Sequence, residues 1–183
     1  AVNDTPTIDP LYEFSVDEDS SQTSLDFSGV TAGANESQPL RVVATSSDTN
    51  IVPDPTVTYA SANATGSIHF QPLPNAHGPV EITVTVTDGG LDGDLSTPED
   101  NGFTSQTFTL TVRPLNDPPS IAPIADVTVS EDAPEQTVNL ADISSGPLEF
   151  QPVRITATSD NPGLVPNPSI TYSSPDAIGS LQF

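Results

Sequence analysis

The chain contains no cysteine, no methionine, no tryptophan and no lysine. Without cysteine no disulfide can form, and without lysine no internal side-chain amide crosslink can either. Packing, backbone pairing and bound metal are what remain to hold the fold. The permanent cations are Arg41, Arg113 and Arg154, set against 25 acidic residues for a formal net charge of −22. Nothing basic is available to neutralise phosphates, which disfavours nucleic acid and anionic lipid as partners. A field of that sign attracts cations instead. No apolar run approaches the roughly 18 residues needed to span a bilayer, so this segment is expected not to insert into a membrane. No basic, apolar leader precedes Ala1, so the sequence is not expected to be a complete precursor.

What is present is proline, at 20 residues. Each interior proline costs a helix about 3 kcal/mol, which excludes long helices. Apolar residues make up 34% of the chain, yet charged residues are only 15%, so the composition is lean without being that of a disordered chain. It points to small β domains and away from a layered α/β enzyme.

The sequence repeats. Moved by 113 residues it falls on itself without a gap, with roughly a third of the aligned positions identical. Asn3-Asp4-Thr5-Pro6 meets Asn116-Asp117-Pro118-Pro119. Val16, Glu18 and Asp19 meet Val129, Glu131 and Asp132. Gln38-Pro39 and Arg41 meet Gln151-Pro152 and Arg154. Thr58-Tyr59 meets Thr171-Tyr172, and Gly66-Ser67 with Phe70 meets Gly179-Ser180 with Phe183. The expected domains are residues 1–115 and 116–183, the second lacking any counterpart of residues 71–115.

Within each copy apolar residues alternate at period two, as in Ile82, Val84 and Val86 against Thr83, Thr85 and Thr87. Valine and threonine dominate, which suits a half-buried pleated surface. Strands are expected near 11–17, 22–27, 38–46, 56–60, 66–71, 79–88 and 104–114, separated by proline and glycine clusters. Seven short strands per copy predict an all-β chain of tandem Greek-key sandwiches of immunoglobulin type, the second incomplete. The third, sixth and seventh strands should form one sheet and the first, second, fifth and fourth the other. An odd strand number puts the two ends of a copy at opposite poles.

Following the poles, Glu18, Asp19, Asn116, Asp117 and Asp142 are expected to converge on the joint between copies. Asn3, Asp4, Asp26 and Asp88 are expected to share the first pole of copy one. Hard oxygen donors from several loops are what Ca²⁺ takes, at six to eight ligands. The competing explanation is that Asp and Asn serve turns in solvated loops.

These residues resemble the cadherin family, in particular the cadherin-like repeats of large bacterial surface proteins. Val129-Ser130-Glu131-Asp132-Ala133-Pro134 looks like that family's V-P-E-N-A-P motif, and Val16-Asp17-Glu18-Asp19 matches it without the Ala-Pro. Leu115-Asn116-Asp117-Pro118-Pro119 and Val2-Asn3-Asp4-Thr5-Pro6 look like its D-x-N-D-N-x-P linker. Val86-Thr87-Asp88-Gly89-Gly90 is similar to its A-x-D-x-G segment. The resemblance implies Ca²⁺ ligands at Glu18, Glu131, Asn116, Asp117 and Asp88. The L-D-R-E motif has lost its acids at Leu73-Pro74-Asn75-Ala76, the first linker aspartate is missing in both copies, and the D-x-D segment is reduced to Asp142 or Asp26. One or two ions per joint are therefore expected rather than three.

No catalytic constellation stands out. There is no G-x-S-x-G elbow, H-E-x-x-H, phosphate loop or cysteine ligand set. The chain is not expected to be an enzyme. Asp92-Gly93-Asp94 with Glu99 and Asp100 lacks full calcium-loop spacing and reads equally as a solvated acidic loop. His69 is expected at the surface, His77 in a turn with no nucleophile to pair with, Tyr59 and Tyr172 in the cores, and Arg41 and Arg154 paired with local acids. Asn35 and Asn63 open acceptor sequons that read as incidental loop positions.

Because the second copy lacks two strands, Val153, Ile155, Leu181 and Phe183 are expected to face water. Either the sequence is a window of a longer array, or neighbouring subunits donate strands. The function this predicts is extracellular and mechanical: a Ca²⁺-rigidified rod or filament segment for cell-surface, cell–cell or matrix association, with neighbouring repeats or like subunits as partners. The alternatives are a carbohydrate-binding module, disfavoured by the scarcity of aromatic residues, and a passive acidic spacer.

Overall fold

Alternation along the strands decides the architecture. The computed structural model describes residues 2–183. The chain divides into two units, Ala1–Leu115 and Asn116–Phe183. Unit 1 has seven strands: β1 (Phe14–Asp17), β2 (Thr23–Phe27), β3 (Leu40–Ser46), β4 (Thr56–Thr58), β5 (Gly66–Phe70), β6 (Gly78–Asp88) and β7 (Phe103–Arg113). All seven expected strands are present, and their ends move where proline intervenes. β3 starts after Pro39 and β7 stops before Pro114, since proline has no N–H to give a ladder.

One sheet runs in the order β1-β7-β6-β3 and the other β2-β5-β4. Val80, Ile82, Val84 and Val86 of β6, with Phe108, Leu110 and Val112 of β7, point to the same side and are buried. They share one core with Phe27, Ile68 and Phe70 of the other sheet, so the sheets face each other as a sandwich. Phe14 meets Phe70 edge-on across the layers, with ring centroids 5.7 Å apart. Each aliphatic side chain so buried contributes roughly 1.5–3 kcal/mol.

One expectation is overturned. The first strand does not lie with the second, fifth and fourth. β1 pairs with β7, in parallel, setting Val16 against Val112. The switch falls at Pro10. Before it, Thr7 N–H donates to Thr31 O at 3.0 Å and Asp9 N–H to Ser28 O at 3.0 Å, along the side of the sandwich that carries β2. Beyond it that pairing ends and the chain crosses to β7. Since β1 and β7 run parallel, the chain enters and leaves unit 1 at opposite poles.

Unit 2 has one sheet, from β8 (Thr137–Leu140), β9 (Ser169–Thr171) and β10 (Gly179–Gln182), ordered β8-β10-β9. That order reproduces β2-β5-β4. Val153–Ser159 forms no strand, although its copy, Leu40–Ser46, is β3. β3 owes its state to pairing with β6, from Leu40↔Asp88 to Ser46↔Ile82, and the sequence holds no second β6. Among the described residues there is no helix, hence none long and apolar enough to cross a membrane.

Candidate metal-binding poles

The N-terminal pole of unit 1 is built around Asp88, the last residue of β6 and fully buried. A carboxylate in that position needs donors. Its Oδ1 accepts the backbone N–H of Gly90 at 2.9 Å, that of Gly102 at 2.8 Å and the amide of Asn3 at 3.1 Å. The Asn3 amide also donates to the Asp100 carbonyl at 3.2 Å. Asp88 thereby ties the N-terminal segment to both ends of the 89–102 loop.

A second network holds the residue after Asn3. Both oxygens of Glu36 accept the backbone N–H of Asp4, at 3.2 and 3.1 Å. Gln38 donates to Asn3 Oδ1 at 2.7 Å and to Glu36 Oε2 at 3.0 Å. Gly33, at φ 126°, lets the backbone approach, because a Cβ there would lie 2.8 Å from Asp4 Cβ. Unit 2 repeats the arrangement. Glu149 Oε1 accepts the N–H of Asp117 at 2.9 Å, and Gln151 donates to Asn116 Oδ1 at 3.0 Å and to Glu149 Oε2 at 2.6 Å. Gly146, at φ 136°, stands 2.8 Å from Asp117 Cβ by the same measure.

The C-terminal pole of unit 1 belongs to Glu18, which is 3% exposed. Its Oε1 accepts the N–H of Leu115 at 2.6 Å, and its Oε2 lies 3.2 Å from His77 Nδ1. His77 is therefore paired with a buried carboxylate. Asp19 sits beside it at φ 58°, its Oδ1 accepting the N–H of Asn75 at 2.9 Å. Asp132, the copy of Asp19, has the matching φ of 61°. These two aspartates form turns in the left-handed region that Asp tolerates.

The remaining candidates are dispersed. Asp26 lies within β2, exposed and opposite Ser67, and among the described residues makes no hydrogen bond with Asn3 or Asp88. Asp4 is exposed and Asn116 is exposed, while Asp117 is half-buried. Asp142 is exposed at φ 51°, at the position of Gly29 in unit 1, where φ is 72°. Glu131 is exposed although its copy Glu18 is buried, because the sequence carries no unit 2 equivalents of His77 and Leu115. Among the described residues no three His, Cys, Asp or Glu side chains gather closely enough to hold a metal ion.

In the 89–102 loop the acids serve turns. Asp92 Oδ1 accepts the N–H of Asp94, and Asp94 Oδ1 accepts both the hydroxyl and the N–H of Ser96. Those bonds, the hydroxyl foremost, hold the Asp94 carboxyl below its usual range. Arg113 pairs with Asp17 at 2.9 Å, but Arg41 and Arg154 make no ion pair among the described residues. Both stand exposed, where such a pair is worth little. His69 is half-buried between Thr58 and Ser67 rather than free on the surface. Tyr59 packs on the core, its ring 6.1 Å from that of Phe27, and burial raises its phenol above the ordinary value.

No protein-family model and no curated protein matches the chain. Among solved structures it is similar to the titin domains Z1Z2 in complex with telethonin, at 13% identity and a TM-score of 0.41, over 100% of this chain and 82% of that one. It is similar to domains 1–6 of the surface layer protein SbsC at 14% identity and a TM-score of 0.38, over 97% of this chain and 22% of that one. For domains 4–9 of the same protein the identity is 13% and the TM-score 0.36, over 98% and 27%. Likenesses this distant carry no function across, so chemistry has to be argued from the poles themselves.

The donors at the poles are carboxylate and amide oxygens, which suit a hard cation in kind. Two of them, Glu18 and Asp88, are withdrawn from water. Asp88 Oδ1 accepts three N–H groups and its Oδ2 only the Asn3 amide at 3.3 Å, whereas each Glu18 oxygen has a single partner, the Leu115 N–H or His77.

Proposed function

We propose that this chain is a structural segment of a secreted or cell-surface protein, built from cadherin-like sandwiches and stiffened by Ca²⁺ at the residues flanking the 114–119 connector. Bound Ca²⁺ would supply positive charge that relieves carboxylate repulsion and fixes torsions. Glu18 is the principal ligand in this reading, with Asn116, Asp117 and Asp19 following and Asp142 as a further oxygen donor; Glu131, the copy of Glu18, would serve the corresponding pole of unit 2. At the first pole Asn3 and Asp4 are the corresponding donors, while Asp88 staples the fold and Asp26 stands apart in β2. The role is mechanical and non-catalytic, with like repeats as the partners.

One observation carries the reading: Glu18 is buried, and its carboxylate accepts the N–H of Leu115, at the foot of the connector. A charge is withdrawn from water at that point only at a cost, and the nearby cation, His77, is charged only when protonated. The acidity of the whole chain adds a field that concentrates divalent ions. A second reading, a passive acidic spacer, is favoured by the absence of a gathered three-ligand set among the described residues.

Calorimetric titration of the 183-residue chain with CaCl₂ separates the two. The first reading expects saturable heat that Glu18→Gln weakens at least about tenfold in Kd, the loss of one charged ligand being worth about 1.4 kcal/mol or more. The spacer expects no saturable heat.

A further inference from the structure

Gly102 closes the 89–102 loop, and packing at the N-terminal pole of unit 1 requires glycine there. A Cβ on it would lie 2.8 Å from Asp88 Oδ2 and 3.1 Å from Asn3 Nδ2. The residue before it is Asn101, which makes the one Asn-Gly step of the sequence. Such a step is chemically weak, because a glycine nitrogen has no Cβ beside it to shield it from the preceding side-chain amide. The same packing that closes the pole thus sets an asparagine open to attack in its wall.

Hydrogen bonds around the step decide whether that attack happens. Asp88 holds Gly102 at both backbone groups: its Oδ1 accepts the Gly102 N–H at 2.8 Å, and its own N–H donates to the Gly102 carbonyl at 3.1 Å. The peptide planes on either side of Gly102 are thereby fixed, with the N–H turned to Asp88. The Asn101 amide has no comparable hold. It is half-buried, and its Nδ2 reaches the Leu95 carbonyl at 3.5 Å, long for a hydrogen bond. Its Oδ1 is buried with no hydrogen-bond partner among the described residues, an exception in a folded chain.

We propose that Asn101-Gly102 is a self-modification site, held in check by Asp88, that converts when the pole opens. Once the Asp88 contacts part, the Gly102 nitrogen loses its proton and bonds to Asn101 Cγ. The Cγ–Nδ2 bond breaks, and the side-chain nitrogen takes up a proton and leaves as ammonia. Water then opens the five-membered imide at one carbonyl or the other. The products are aspartate and, with one more methylene in the main chain, isoaspartate. Water is the one co-reactant, and no electrons change hands. The conversion also works against reclosure. The place of Asn101 Oδ1 offers no donor, so a carboxylate there would be a buried charge without a partner. A transient opening is thereby turned into a lasting one. None of this depends on bound calcium, and the test runs in EDTA.

The 183-residue chain is incubated at mildly alkaline pH, and the peptide that carries Asn101 is followed by mass spectrometry, with isoaspartate separated from aspartate by chromatography. Conversion in the folded chain should be at least about a hundredfold slower than in the same chain unfolded by urea, because only the opened fraction reacts. Asp88→Ala, compared where it remains folded, should speed conversion at least about tenfold. Asn3→Ala is the second variant: it removes one of the three donors to Asp88 Oδ1, leaves the Gly102 contact, and should give a smaller rise. Asn101→Asp, made directly, should speed hydrogen exchange of the Gly90 and Gly102 amides at least about tenfold. Conversion equally fast in the folded and unfolded chains, absent from both, or unmoved by Asp88→Ala and Asn3→Ala alike, overturns the proposal. Unchanged exchange in Asn101→Asp overturns the lasting opening.

Discussion

Asp88 and Glu18 bear the same charge and are both buried, yet their surroundings give them different work. Asp88 accepts three N–H groups and staples the fold. Asp88→Ala should cost roughly 3 kcal/mol by leaving the Gly90 and Gly102 donors unsatisfied, and by the same amount with or without Ca²⁺. Urea unfolding in both conditions checks this; a loss seen only with Ca²⁺ would make Asp88 a ligand. Tyr59 gives a pH prediction. Its folded phenol titrates above the ordinary value near 10 because burial disfavours the charged form. Its contribution to stability is therefore complete below the unfolded value and is lost as pH rises through the folded one. Ultraviolet titration should show an ionisation above the free-phenol value that disappears in Tyr59→Phe. At this scale the sequence was legible in part. The alternation and the acid-rich poles could be read, but not the grip of Glu36 and Gln38 on Asp4 and Asn3. That grip is made with a backbone N–H and an amide some 32 to 35 residues away, and no local pattern encodes it. The one signal was the recurrence of Gly33, Glu36 and Gln38 as Gly146, Glu149 and Gln151.

Among the elements, β3 and its copy make an internal control. Leu40-Arg-Val-Val-Ala-Thr-Ser is a strand; Val153-Arg-Ile-Thr-Ala-Thr-Ser, with the same period, is none. Propensity and pattern are nearly identical, so the difference is the neighbour. This is why seven strands were legible in unit 1 and why unit 2 forms only the sheet whose three members it contains. It also explains the misassigned first strand: its composition fits either sheet, and the choice is made by the pairing with β7. A mutational consequence follows. Val42→Ala, in the closed core, should cost about 1–3 kcal/mol, while Ile155→Ala at the equivalent, half-exposed position should cost less than about 1 kcal/mol. Chemical denaturation with local exchange readouts distinguishes the two.

For the whole molecule, the cores of the two units are unequal. Unit 1 buries side chains from two facing sheets, whereas unit 2 buries Leu140 and Ile143 and leaves Phe150 90% exposed. Buried apolar area sets stability, so scanning calorimetry should show unit 2 losing structure first, at a temperature below the main transition. The charge of −22 acts on everything at once. Sodium chloride should also raise stability by screening self-repulsion, so a response to calcium has meaning only beside a salt control. Thermal melting of the intact chain in millimolar CaCl₂, against NaCl of equal ionic strength, is the most direct test. The account predicts a saturable rise in the unit 1 melting temperature beyond the salt control, as for any ligand that binds only the native state, and its reduction in Glu18→Gln. Superimposable melts in the two salts would contradict it.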